Sequence, residues 1–305
     1  MNGVLVVDKP AGLTSHDVVA VARRALGERG VGHTGTLDPM ATGVLPLAIG
    51  KATRLVRFLT ASDKDYDAVI RFGRSTDTYD VTGTTTAESP MRPTRTAVEF
   101  GLLALSGTYD QTPPPYSAKK VEGRRAYALA RRDQPVALKG VPVTVSRAVL
   151  AAFDDDTASV SLTCSAGFYV RSFAHELGRM LGSGACLESL RRTRSGEFTL
   201  AAALPFEQLT GGGDADRRQV LEQALIRSSS LLRDFPAVEL TAEGLRFVEH
   251  GRDLGPAQWR SLRSDTPVGP ASAWVRLLDS GGTLVAVGTH GTGTATLHPS
   301  IVLMS

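Results

Sequence analysis

Gly32-His33-Thr34-Gly35-Thr36-Leu37-Asp38-Pro39-Met40-Ala41-Thr42-Gly43-Val44-Leu45-Pro46 sets one histidine and one carboxylate among small, backbone-permissive residues. Such a run is poor material for a helix or a regular strand. Gly32, Gly35 and Gly43 allow positive φ and close approach by a ligand, while Pro39 moves Asp38 out of the helical region. The stretch therefore reads as a sharply bent loop that presents Asp38 to whatever lies in front of it. An isolated Asp-Pro in such a turn would ordinarily be no more than a solvated aspartate.

Outward from the loop, residues 3–7 form a short apolar strand that ends in the turn Asp8-Lys9-Pro10-Ala11-Gly12. Thr14 or Ser15 can cap a helix whose apolar face is Val18, Val19, Ala22, Ala25 and Leu26, stopped by Gly27. Residues 52–59 read as a second short helix. Tyr66, Ala68, Ile70 and Phe72 alternate and so share one face of a strand. A helix is expected over 96–105 and another over 172–181. Val143, Val145, Arg147 and Val149 alternate, as do Val160, Leu162 and Cys164, and the Asp154-Asp155-Asp156 turn joins them into an antiparallel hairpin. Residues 211–213 with Asp214 and Asp216 mark a surface loop. A boundary falls near Asp234-Phe235-Pro236, beyond which β-like runs at 275–278, 284–287 and 301–303 sit between glycines. The class is mixed α+β: a mainly antiparallel sheet with flanking helices over 1–235, then a small β-rich domain over 236–305.

The 305 residues allow one large core or two domains, and 42% hydrophobic with 21% charged residues is ordinary for a soluble globular chain. A net charge of +3 suits a polyanionic partner without demanding one. Two cysteines, Cys164 and Cys186, exclude a disulfide framework or a four-cysteine metal site. The N-terminus lacks a basic n-region, and no run reaches the roughly 18 apolar residues of a membrane span. A cytoplasmic protein is expected.

The loop resembles the catalytic loop of the bacterial tRNA pseudouridine synthase B (TruB) family, whose pattern is Gly-His-Thr-Gly-x-Leu-Asp-Pro-x-Ala-x-Gly-x-Leu-Pro. Further matches follow in order over about residues 1–200, beginning with Asp8-Lys9-Pro10-x-Gly12-x-Thr14-Ser15. The resemblance implies isomerisation of a uridine in the TΨC loop of tRNA, at position 55, with Asp38 as the nucleophile and the target base flipped out. Breaking a glycosidic C–N bond, rotating the base and rejoining it through carbon needs no redox change, and no cofactor or metal is expected.

Asp63-Lys64-Asp65-Tyr66 is close to the family's Lys-x-Tyr, which implies that Tyr66 stacks on the target base and assists proton transfer from carbon. Gly167-Phe168-Tyr169-Val170-Arg171-Ser172 resembles Gly-x-Tyr-Ile-Arg-Thr, so Arg171 should pair with Asp38, fix its orientation and keep it ionised. Tyr169 is expected on the same strand face as Arg171, packing against Tyr66 and the base. By the same resemblance Leu190 touches the base through its backbone, His33 holds the extruded nucleotide, and Asp80 walls the site. Lys9 is placed with them as a substrate-binding residue. Asp77 and Asp80 look superficially like a calcium loop, but Tyr79 and Val81 stand where oxygens are required. The basic run after Tyr116, with Lys119, Lys120, Arg124 and Arg131, matches a family segment and is expected to contact RNA backbone. Arg191, Arg192 and Arg194 would add to that field.

Two positions depart from the pattern: Gly30 stands where a basic residue often precedes Gly-His-Thr-Gly, and Ala166 replaces a common lysine. The C-terminal domain is expected to be PUA-like and to bind RNA, by analogy. A monomer with no obligatory protein partner is expected. The alternatives are a tRNA-folding chaperone on the same scaffold, a guide-RNA-dependent pseudouridine synthase, and a two-carboxylate glycosidase, for which no second carboxylate is in view.

Overall fold

The computed structural model describes residues 1–117, 138–262, 274–290 and 296–304, plus the backbone of two short strands, Lys120–Val121 and Arg124–Arg125. The alternation that marks Lys64–Phe72 as a strand also makes it the centre of an eleven-stranded sheet. Lys64, Tyr66, Ala68, Ile70 and Phe72 all turn inward. This strand pairs antiparallel with Thr157–Cys164 on one side and Ala185–Ser195 on the other. Val141–Asp154 and then Gly107–Gln111 extend the first side, again antiparallel. On the second side, Ala185–Ser195 meets Thr42–Ile49, which runs antiparallel to Gly3–Lys9.

The meeting of Thr42–Ile49 with Ala185–Ser195 is parallel and spans only two residue pairs, Thr42 with Arg191 and Gly43 with Arg192. Gly43 sits at φ 101, and a side chain there would run into the Arg192 carbonyl. Glycine is what permits this close approach.

One face of the sheet is covered by three helices, Ser15–Leu26, Arg95–Ala104 and Val170–Met180. Their buried residues, among them Val18, Val98 and Phe173, share a core with Leu5, Leu45, Tyr66 and Ile70 of the sheet. Thr14 is the cap of the first helix: it accepts from Asp17 N–H, and the Asp17 carboxylate accepts from Thr14 N–H. Gly27, at φ 62, ends it in the left-handed region.

Several expectations need correction. The segment after the loop begins as a tighter 3-10 turn, Gly50–Leu55, and becomes α-helical only over Val56–Thr60. A bulge between Val145 and Arg147 reverses the facing of the Val141–Asp154 strand. Val143 and Val145 are therefore buried, whereas Arg147 and Val149 face solvent and Ala148 and Leu150 turn toward the core. Asp214 and Asp216 belong to a helix, Asp214–Gln223, that starts directly after Gly213. The chain also turns helical at Val170, so Tyr169 and Arg171 do not share a strand face. Tyr169 is the residue before the helix and Arg171 lies in its first turn.

The C-terminal β-rich part is a five-stranded sheet in the order Trp259–Ser261, Ala237–Leu240, Val275–Leu278, Leu284–His290, Leu297–Val302. Its Ala237, Leu278, Leu284 and Val287 bury Val4, Val6 and Val44 on the other face of the large sheet, with Leu55 and Leu59 between. Phe58 joins this packing edge-on to Phe235 and Trp274 at 5.5 and 4.9 Å. Among the described residues, no helix is long and apolar enough to cross a membrane.

Cys164 and Cys186 are both buried and free. Burial pushes the Cys164 thiol up to about 12 and raises Cys186 as well. A thiol reagent at pH 8 should label neither cysteine in the native protein and both in denaturant. Rapid native labelling would contradict this packing.

Candidate active site

Asp38 lies in the connection between the strands Val31–His33 and Thr42–Ile49. Few of the backbone groups here have ladder partners, so other parts of the chain must supply them. Gly12 N–H donates to Pro39 O at 2.8 Å, and Ala41 N–H donates to Asp38 O at 3.0 Å. The buried Ser15 hydroxyl both accepts from Leu37 N–H (2.8 Å) and donates to Leu37 O (3.1 Å). Leu37 and Ala41 sink into the core on either side, which leaves Asp38 projecting between two anchors.

Two buried cations hold the remaining carbonyls. Lys9 Nζ donates to Ala41 O (2.7 Å), Pro10 O (2.9 Å) and Pro39 O (3.3 Å). Arg192 donates to Val44 O (2.7 Å), Gly35 O (3.1 Å) and Thr36 O (3.5 Å). Lys9 has 0% of its surface exposed, so it is not placed to touch a substrate as expected; it holds the loop from beneath. Burial brings its pKa down to about 8, with the Asp38 charge opposing that shift.

Arg171 reaches Asp38 from the first turn of its helix. Its Nε is 2.8 Å from Oδ2, and its Nη2 donates to Oδ1 at 3.0 Å. The guanidinium also donates to Thr78 O (3.0 Å) and Tyr116 O (3.1 Å), with Asp80 Oδ2 3.6 Å away. The Arg171 side chain is 7% exposed and that of Asp38 33%, so the cation is sunk and the carboxylate stays open. The hydrogen bond from Nη2 and the close charge contact at Nε together hold the carboxylate against the guanidinium.

Tyr66 sits opposite Arg192 in the strand register and is buried, which raises its pKa above the ordinary phenol range. It is a neutral phenol at neutral pH. Burial raises Tyr169 too; its backbone exchanges hydrogen bonds with the Gln111 side chain at 2.8 and 3.1 Å. His33 is half-buried beside Arg192, and burial followed by that positive charge lowers its pKa. Leu190 is buried on the strand next to Tyr66, two residues before Arg192. Asp80 is buried, and its other oxygen accepts from Thr78 and Thr82 within its own turn. Asp77 accepts from Thr84 N–H, so both carboxylates of the calcium-like run bond within their own turn. Among the described residues, no group of His, Cys, Asp and Glu is arranged to hold a metal ion.

The structure thus gathers Asp38, Arg171 and Asp80 into one contact set and ties Tyr66 to Arg192. Lys119 and Arg131 lie outside the described residues, as do the side chains of Lys120 and Arg124. The expected field from Arg191, Arg192 and Arg194 needs correction: Arg191 is paired with Asp8 and Arg194 with Asp65, each at 2.7 Å, and Arg192 is interior. The structural part played by Arg192 and Ser15 was missed. For Arg192 a signal existed, because strand alternation from Leu190 places it on the inward face.

The description "TruB family pseudouridylate synthase (N terminal domain)" matches residues 23–170, and "tRNA pseudouridylate synthase B C-terminal domain" matches residues 171–230. The chain belongs to the TruB family. A Solibacter usitatus (strain Ellin6076) protein named tRNA pseudouridine synthase B is 44% identical over 307 residues, covering 99% of this chain and 100% of that protein. A protein of the same name from Thermobifida fusca (strain YX) is 44% identical over 265 residues, 84% of this chain and 87% of that protein. Among solved structures, an archaeal box H/ACA sRNP Nop10-Cbf5 complex has a TM-score of 0.73 at 23% identity, covering 99% of this chain and 86% of that one. That likeness is one of fold. This TruB-family chain is a pseudouridylate synthase, an isomerase.

Lys9→Met should strip the buried donor from Ala41 O and Pro10 O and leave Pro39 O with Gly12 N–H alone. The expected loss is about 2–4 kcal/mol in urea unfolding, given the cost of unpaired buried polar groups. An unchanged midpoint would return Lys9 to the substrate-binding role.

Proposed function

We propose that this enzyme isomerises a uridine in the TΨC loop of tRNA to pseudouridine, with Asp38 as the nucleophile. The observation that carries this reading is the asymmetric ion pair. Asp38 is anchored at both oxygens by Arg171, yet it keeps a third of its side-chain surface open. A carboxylate so oriented can form a covalent adduct with the sugar or the pyrimidine ring while the C–N bond breaks. The base then turns and rejoins through carbon, the bond to Asp38 breaks again, and the proton lost from that carbon is matched by one gained at the ring nitrogen that the sugar has left.

A stacked uridine must leave its neighbours to reach a site this recessed. Tyr66 and Tyr169 offer ring faces for it, Leu190 and His33 line its approach, and the neutral Tyr66 hydroxyl serves as a hydrogen-bonding relay rather than a resting base. The tRNA substrate is supported by relatives that carry the name tRNA pseudouridine synthase B over nearly the whole chain. The basic segment with Lys119, Lys120, Arg124 and Arg131 is assigned to the RNA backbone, and residues 236–305 to a separate RNA-binding domain.

Incubation with unmodified tRNA transcript, followed by mapping of pseudouridine, tests the assignment. Wild type should convert one uridine of the TΨC loop. Asp38→Ala should abolish conversion and keep tRNA affinity within about tenfold, because the nucleophile is not a phosphate contact. Conversion by Asp38→Ala, or conversion confined to another loop, would overturn it.

A further inference from the structure

Tyr79 adopts φ 63, a left-handed conformation that only one other non-glycine residue among those described shares. An aromatic residue is disfavoured there, so the surroundings must hold it. Two restraints do. Leu187 N–H donates to Tyr79 O and Val81 N–H donates to Leu187 O, both at 2.9 Å, which pins the backbone to the central sheet. The Tyr79 ring also lies flat on the His175 ring, with centroids 3.8 Å apart and planes 6° from parallel.

His175 is one helical turn beyond Arg171, on the same side of the Val170–Met180 helix. The residues flanking Tyr79 are the ones Arg171 uses: Thr78 supplies a carbonyl at 3.0 Å and Asp80 a carboxylate at 3.6 Å. The same helix therefore grips the Thr78–Asp80 turn twice, once through charge and once through a ring. Taking the Asp38 reading above as its base, we propose that the Tyr79–His175 stack is a positioning device that holds this turn on the helix, fixing Arg171 and through it the orientation of Asp38.

His175 Nδ1 is buried with no hydrogen-bond partner among the described residues, so that edge of the ring does not hold it in place. Burial also lowers its pKa, so the imidazole is neutral at neutral pH. Ordinary packing on the helix would fill the same space but would not require a tyrosine in the left-handed region.

Turnover at saturating unmodified tRNA is compared for Tyr79→Ala, Tyr79→Gly, His175→Ala and His175→Phe, each assayed where circular dichroism shows it folded. The first three should lose roughly tenfold in kcat, as expected for a small misplacement of a reactive group. Their KM should stay within about twofold, and His175→Phe, which keeps a ring, should retain wild-type turnover. Wild-type turnover in Tyr79→Ala and His175→Ala would overturn the proposal. Recovery in Tyr79→Gly alone would also overturn it, since backbone geometry and not the stack would then be responsible. A second readout needs no substrate: the 15N resonance of the Arg171 Nε–H group, assigned with Arg171→Lys, should broaden or exchange faster in the alanine variants and not in His175→Phe. An unmoved resonance overturns the proposal. A wild-type protein that makes no pseudouridine would instead sink the functional reading and leave this arm to decide the stack.

Discussion

Arg171 is a buried cation, and a buried cation must be surrounded by oxygen. Thr78 O, Tyr116 O, Asp80 and Asp38 meet that need from three separate stretches of chain. Asp38 is thus held where it is because the guanidinium requires it there, and one side of the carboxylate stays open. The helix Val170–Met180, the turn before Val81 and the end of the segment at Tyr116 are brought together by this one requirement. Removing the guanidinium would free three regions at once.

The loop that carries Asp38 shows a second use of buried charge. A regular strand or helix would satisfy its own backbone, but neither could project a carboxylate from between two core anchors. Lys9 and Arg192 take the place of a ladder, each accepting the desolvation of its charge in return for several carbonyl contacts. Ser15 is available to do the same for Leu37 because Thr14, and not Ser15, caps the helix. A rigid irregular loop results, and its rigidity comes from side chains far away in sequence.

That distance explains what could be read in advance. The alternation of Tyr66, Ala68, Ile70 and Phe72, a helix starting at Thr14 or Ser15 and stopped by Gly27, and the Asp38–Arg171 pairing were all legible, the first two from local pattern and the last through family resemblance. The bulge after Val145 was not, because one extra residue reverses the facing of the residues that follow, as far as a second shift after Leu150, and leaves no mark in composition. Arg191 and Arg194 looked like free positive charge because Asp8 and Asp65 neutralise them across 183 and 129 residues of chain. Lys9 looked like a ligand contact for a related reason: a lysine near a reactive loop reads the same whether it faces outward or inward.

The parallel junction at Thr42–Arg191 and Gly43–Arg192 divides the large sheet into two panels with very little ladder between them. Arg192 rivets the panels by gripping Val44, Gly35 and Thr36 across the gap. Asp38 stands on one side of this line and Tyr66 on the other. A polynucleotide lying over both would cross the sheet where its ladder is thinnest.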